Sequence, residues 1–161
     1  MAENKAYLDT SAVSALVNYD IEVAGEMSAL EQLLAWHESG KVIIVCSPVV
    51  EDELAEIPAQ YIEAHRSFFA KFACVPKANV GGLTQLGPLG LPMGNPRDRL
   101  MRSLQQVLRE KDAWHVFVAS CNRLHYLITS DRKTMLSRKE SVLKISGVHL
   151  LWPSEFRNLQ Q

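Results

Sequence analysis

Four short apolar runs are spread along the chain. Ala6-Tyr7-Leu8 ends at Asp9, and residues 42–46 read Val-Ile-Ile-Val-Cys. Residues 126–129 end just before Ser130-Asp131, and residues 148–152 form the last run. Continuous apolar runs of this length, separated by helical segments, predict strands buried on both faces and therefore a parallel sheet. Between them the period changes. Leu30, Leu33 and Leu34 fall on one helical face, with Ser28-Ala-Leu-Glu31 as a capping box and Gly40 as a stop. Ser47-Pro48 predicts a helix start with proline at its first position, and Pro58 divides that helix from a second one running to about Phe72. Leu100, Met101, Leu104, Val107 and Leu108 form another stripe, and residues 112–124 are apolar on most sides. Alternating strands and helices predict an α/β fold.

Residues 77–96 break this rhythm. Gly81, Gly82, Gly87, Pro88, Gly90, Pro92, Gly94 and Pro96 punctuate them. A connection of that length is functional or loosely ordered, and its leucines (Leu83, Leu86, Leu89 and Leu91) could dock a partner.

With 161 residues the chain fits a single domain with a substantial core. It has no bilayer-length apolar stretch and no basic-then-apolar leader, so a cytoplasmic protein is expected. Cys46, Cys74 and Cys121 are scattered among apolar neighbours and read as buried free thiols. The net charge of -1 conceals an asymmetry. Residues 1–96 carry 5 basic and 12 acidic side chains, net -7, whereas residues 97–144 carry 11 and 5, net +6. A basic half beside acidic clusters suits a polyanion held near a cation, although alternating solvated helix faces would give the same sums.

Chemistry is concentrated in four carboxylates. Ligands in parallel α/β sheets bind beyond the carboxyl ends of the strands, where Asp9 and Asp131 fall. Each could equally cap the following helix. On a helical wheel over residues 48–57, Val49, Val50, Leu54 and Ile57 form the apolar face. Glu53 lies inside that face, while Glu51, Asp52 and Glu56 lie outside it. An inward carboxylate is costly unless a cation or hydrogen bonds compensate it. Asp112 opens a buried helix, where the helix dipole favours it. Together the four would suit a hard divalent cation, which could polarise a phosphodiester and activate water.

The ordered set Tyr7-Leu-Asp9-Thr-Ser11, Ser47-Pro-Val-Val-Glu-Asp-Glu53-Leu, Asp112-Ala-Trp-His-Val-Phe-Val-Ala119 and Leu127-Ile-Thr-Ser-Asp131-Arg resembles PIN-domain nucleases, especially VapC-type toxins of bacterial toxin–antitoxin pairs. The closing Val148-His-Leu-Leu-Trp-Pro153-Ser-Glu-Phe156 resembles the last strand and helix of that family. The resemblance covers nearly the whole chain. It implies a three-layer α/β/α sandwich on a central parallel sheet. It also implies Mg²⁺- or Mn²⁺-dependent endoribonuclease activity, and often a homodimer held by a small antitoxin protein. Asp9, Glu53, Asp112 and Asp131 would be the metal-binding and catalytic quartet, with Thr10 or Ser11, and Thr129, in support.

The sequence departs from the family after the last aspartate. Many relatives carry a further acid there, whereas Arg132, Lys133 and Thr134 follow here. Arg97, Arg99, Arg102, Arg132 and Lys133 are candidate RNA phosphate contacts because they lie in the basic half. His115 reads as a helix-surface histidine, and His37, His65 and His149 show no zinc spacing. A phosphatase with an aspartyl nucleophile would need a second acid where Ser11 stands. The alternative to an enzyme is a degenerate PIN domain acting as an RNA- or protein-binding module.

Overall fold

The computed structural model describes residues 4–18, 23–77, 85–86 and 92–161. In chain order the described elements begin with β1 (Lys5–Leu8), α1 (Thr10–Asn18), α2 (Glu26–Glu38), β2 (Ile43–Cys46) and α3 (Val49–Leu54). Next come α4 (Ala59–Phe69), β3 (Ala73–Cys74), β4 (Gln85–Leu86), β5 (Pro92–Met93) and α5 (Pro96–Gln105). The chain closes with α6 (Glu110–Cys121), β6 (Tyr126–Ile128), a 3₁₀ turn (Leu136–Arg138), α7 (Lys139–Ser146), β7 (His149–Leu151) and α8 (Pro153–Leu159).

Five strands form one all-parallel sheet in the order β3-β2-β1-β6-β7. Successive side chains on a strand point to opposite faces, and the core divides accordingly. Tyr7, Val45, Leu127 and Leu150 pack against Met101, Leu104, Val116, Phe117 and Val142 of α5, α6 and α7. Ala6, Leu8, Ile44, Cys46 and Ile128 pack on the other side, against Val13, Leu30, Leu33, Phe69 and Phe156 of α1, α2, α4 and α8. The fold is therefore an α/β/α sandwich; the apolar runs lead one to expect the α/β class and the parallel sheet, and the family resemblance the three layers.

Several boundaries differ from the sequence expectation. Helix α2 begins at Glu26, not at a cap formed by Ser28, because Gly25 turns the chain with φ 89°. Ser28 lies exposed inside the helix. Buried Glu26 instead serves α8, accepting the Ser154 N–H at 2.9 Å and the Ser154 hydroxyl. Pro48 is the residue before α3 rather than its first position, and α4 ends at Phe69, short of Phe72. Gly40 stops α2 as expected, with φ 77°. The short edge strand β3 lies in the apolar run Phe72-Ala-Cys-Val75, which directly follows the end of α4 and so reads as the tail of that helix, and it leaves Cys74 exposed. Cys46 is buried and Cys121 half-buried, so only one of the three free thiols matches the expected burial.

Most of the glycine- and proline-rich stretch, including Leu83, Leu89 and Leu91, lies outside the described residues. Within it β4 pairs with β5 in antiparallel register. Among the described residues no helix is long and apolar enough to cross a membrane.

Leu127 is fully buried in the interior strand β6, on the α5–α7 side. Leu127→Ala is expected to lower stability by about 2–5 kcal/mol, read as a lower denaturant midpoint with an unchanged transition slope.

Candidate functional site

The strand order reverses between β1 and β6, since β2 lies on the far side of β1. Open parallel sheets leave a crevice at such a point, beyond the carboxyl ends of the strands. Asp9 follows β1 directly, and its N–H donates to the Ile128 carbonyl of β6 at 3.2 Å. A cleft of about 490 Å³ opens there. Asp9, Glu53, Asp112 and Asp131 all line it, so the fold brings together the four acids picked out by the sequence.

Asp9 is only 2% exposed. Its Oδ1 accepts the Ala12 N–H at 3.0 Å and the Ser11 hydroxyl at 2.9 Å. Its Oδ2 accepts the Thr129 hydroxyl at 2.7 Å and also receives Ser11 at 3.0 Å. Asp9 thus caps α1 and lines the cleft at once, which unites the two roles that the sequence left as alternatives. Ser11 and Thr129 hold it as expected, and the Ser130 N–H donates to Ser11 Oγ at 3.1 Å to close the junction. Burial nevertheless pushes the Asp9 carboxyl up to about 6, against the opposing pull of His115 and the hydrogen bonds from Thr129, Ala12 and Ser11.

Glu53 points inward, as its place on the helical wheel requires. Its Oε2 accepts from the Thr10 hydroxyl and from His115 Nε2, the latter at 2.9 Å. Burial pushes this carboxyl up, but the hydrogen bond from His115, together with Thr10 and Lys111, outweighs burial and holds it below the usual range. His115 is 1% exposed, contrary to the surface position expected for it. Its Nδ1 lies 2.6 Å from the Tyr7 hydroxyl, which lies 2.7 Å from Ser47 Oγ. The signal was present, because a polar residue in a helix apolar on most sides needs a buried partner.

Asp112 and Asp131 form the third part of the cleft. The Thr134 hydroxyl reaches Asp112 Oδ2 at 3.1 Å and also contacts Asp131 Oδ2, while the Thr134 N–H donates to Asp131 Oδ1 at 2.8 Å. A hydroxyl has one proton and can serve only one of the two carboxylates at a time. Burial, reinforced by the charge of Asp131, holds Asp112 above the ordinary range despite the Thr134 hydrogen bond and Arg109. Arg109 stands at the mouth, 3.8 Å from both Asp112 Oδ2 and Asp131 Oδ2. Neither Thr134 nor Arg109 was singled out from sequence as a member of the site, although Arg109 precedes Asp112 by three residues and Thr134 follows Asp131 by three.

Arg97, Arg99 and Arg102 project from α5, and Arg132 and Lys133 follow Asp131. All five are exposed and none lines the cleft. The basic groups that do line it are Arg109 and Lys111, the latter paired with Glu56.

Among the described residues, no three of the carboxylate, imidazole or thiol groups already stand as a closed cluster around one point. The donor chemistry still fits a hard cation. Among these residues Glu53 Oε1 and Asp112 Oδ1 accept no hydrogen bond, and the charge of Asp131 raises the cost of ionising Asp112. Comparison with protein-family models, with curated proteins and with solved structures finds no match to this chain.

The raised Asp9 value sets a pH dependence. Unfolded, Asp9 titrates near its ordinary 3.8; folded, it does so at about 6. The folded form therefore holds the extra proton between these values, and stability falls as pH rises through about 6. At pH 7.5 with chelator present, Asp9→Asn should be more stable than the parent by on the order of 2–3 kcal/mol. At pH 4 the difference should vanish in thermal melts.

Proposed function

We propose that this chain is a metal-dependent endoribonuclease of the PIN type. The observation that carries the reading is the convergence of Asp9, Glu53, Asp112 and Asp131 on one cleft at the strand-order reversal. Four carboxylates from separated stretches have no shared structural purpose there. Their mutual repulsion is a cost that a bound cation would remove.

Asp9, Glu53, Asp112 and Asp131 would hold Mg²⁺ or Mn²⁺. When bound, the ion supplies neutralisation of phosphate charge and a lower pKa for the attacking water. The water oxygen forms a bond to phosphorus, the P–O3′ bond breaks, and the 3′ oxygen leaves with a proton. The products are a 5′-phosphate and a 3′-hydroxyl. Asp9 is held rigid by Ser11, Ala12 and Thr129, so it enters the reaction already oriented. Arg109 is freed for the RNA phosphate once the negative charges beside it are neutralised.

A second reading has one observation in its favour. Both oxygens of Asp9 are already occupied by the protein's own donors, as suits a degenerate PIN domain that binds RNA or protein without cutting it. The small antitoxin and the homodimer belong to this proposal through the sequence resemblance alone.

The test is cleavage of a mixed RNA pool by purified protein with Mn²⁺ or Mg²⁺. Asp9→Asn and Asp112→Asn should each reduce turnover roughly 1000-fold. Retained RNA affinity without cleavage in any metal would favour the binding module, and cleavage undiminished in Asp9→Asn would reject the site. Arg109→Ala should raise KM for RNA roughly tenfold with kcat little changed, as steady-state kinetics on a short labelled RNA would show.

A further inference from the structure

Beneath the cleft lies a file of polar groups that the quartet does not account for. It runs from Ser47 through Tyr7 and His115 to Glu53, across β1, α6 and α3. Tyr7 is fully buried, and Ser47 and His115 are nearly so. Such groups are tolerated only when hydrogen-bonded, and here each is.

The protons can be followed along the file. The Val49 N–H donates to Ser47 Oγ at 3.3 Å, which leaves the Ser47 hydroxyl free to donate to the Tyr7 oxygen. The Tyr7 hydroxyl, which accepts from Ser47, is then left to donate its own proton to His115 Nδ1 at 2.6 Å. An ionised carboxylate only accepts, so the proton facing Glu53 sits on His115 Nε2. Every hydrogen then has an acceptor, and the ring is fixed in one tautomer.

This direction matters for Glu53. The α3 backbone fixes where Glu53 begins but not where its flexible side chain places the carboxylate. Its two donors, His115 Nε2 and Thr10 Oγ1, both fall on Oε2. Oε1 is left without a donor among the described residues, in a side chain that lines the cleft. We infer that His115 is a positioning residue, held by Tyr7 and Ser47, which fixes Glu53 so that Oε1 is presented to the cation. The inference rests on the metal-site reading above. It concerns the state in which the ring is already hydrogen-bonded on both sides and invokes no change of charge. Partners of this kind, one step behind a metal ligand, commonly govern affinity by 10–100-fold.

The experiment is titration of the whole protein with Mn²⁺, followed by electron paramagnetic resonance, on the parent, His115→Leu, His115→Gln and Tyr7→Phe. Thermal melts confirm that each is folded at the working temperature. His115→Leu should weaken Mn²⁺ binding about 10–100-fold. His115→Gln keeps an N–H donor of similar reach and should restore most of the loss. Tyr7→Phe leaves the imidazole in place and should give a smaller loss. Nitrogen-15 spectra of the His115 ring should show Nε2 protonated and Nδ1 bare in the parent, with the preference relaxed in Tyr7→Phe. If the parent binds Mn²⁺ and His115→Leu binds it equally well, the positioning role is overturned while the metal site stands. Should the parent bind no Mn²⁺, the metal site and the inference fall together. If His115→Leu does not fold, a parent-like affinity in both His115→Gln and Tyr7→Phe with a mixed tautomer in the parent overturns the inference.

Discussion

Burying the Asp9 carboxylate at the seam between β1 and β6 costs free energy that its donors offset only in part, and much of the surrounding arrangement follows from that cost. The donors come from two places. Ser11 and Ala12 belong to the first turn of α1, and Thr129 follows β6, so the contacts on Asp9 span the reversal of strand order. Ser11 strengthens the seam by accepting the Ser130 N–H, and the Asp131 N–H donates to Thr129 Oγ1 at 3.1 Å. The chain after β6 is thereby held to the chain after β1, and Asp131 is directed into the cleft that Asp9 occupies.

Each of the other carboxylates meets the same electrostatic problem with different chemistry. Glu53 has an imidazole and a hydroxyl. Asp112 and Asp131 share one threonine hydroxyl and a guanidinium at the mouth. That guanidinium is 69% exposed, so solvent screens its attraction and it relieves little of the repulsion. Asp112 accordingly stays above the ordinary carboxylate range. The cleft thus holds a set of acids partly satisfied by protein donors. A divalent cation, in the proposed function, takes over the compensation that these donors supply incompletely.

What could be read from sequence divides along physical lines. Buried parallel strands announce themselves by apolar runs, and the fold class followed from four of them. The positions of Asp9 and Asp131 followed too, because the ends of such strands share one edge of the sheet. Glu53 was legible because one residue on a wheel can be judged against its own helix. For His115 the apolar helix signals a buried partner but not which one, since Tyr7 and Glu53 come from β1 and α3, and no local period reports a contact across 108 residues of chain. The same limit explains Ser28. A serine followed three residues later by glutamate looks like a helix start, but Gly25 and the long-range bond from Ser154 to Glu26 set the boundary earlier. The arginines of α5 lie exposed outside the cleft, because a charge sum along the sequence does not report which face of a helix meets the site.

The polar file under Glu53 bears on why the site exists at all. Residues on either side of His115 in α6, Ala113 and the run from Val116 to Ala119, are buried and apolar, and the sheet beside them supplies Leu127. Removing His115 alone would strand Tyr7 and Glu53, but apolar groups of like size at positions 7 and 115 together would need no partners, and replacing a whole set of buried polar groups in this way is often neutral or stabilising. Folding alone therefore gives no reason for an imidazole and a phenol in that space. Their reason lies at the end of the file, where a glutamate on a short helix must keep its charge in a partly buried cleft. The file is intelligible if Glu53 has work to do there, and the same argument carries from Glu53 to the three acids that share its cleft.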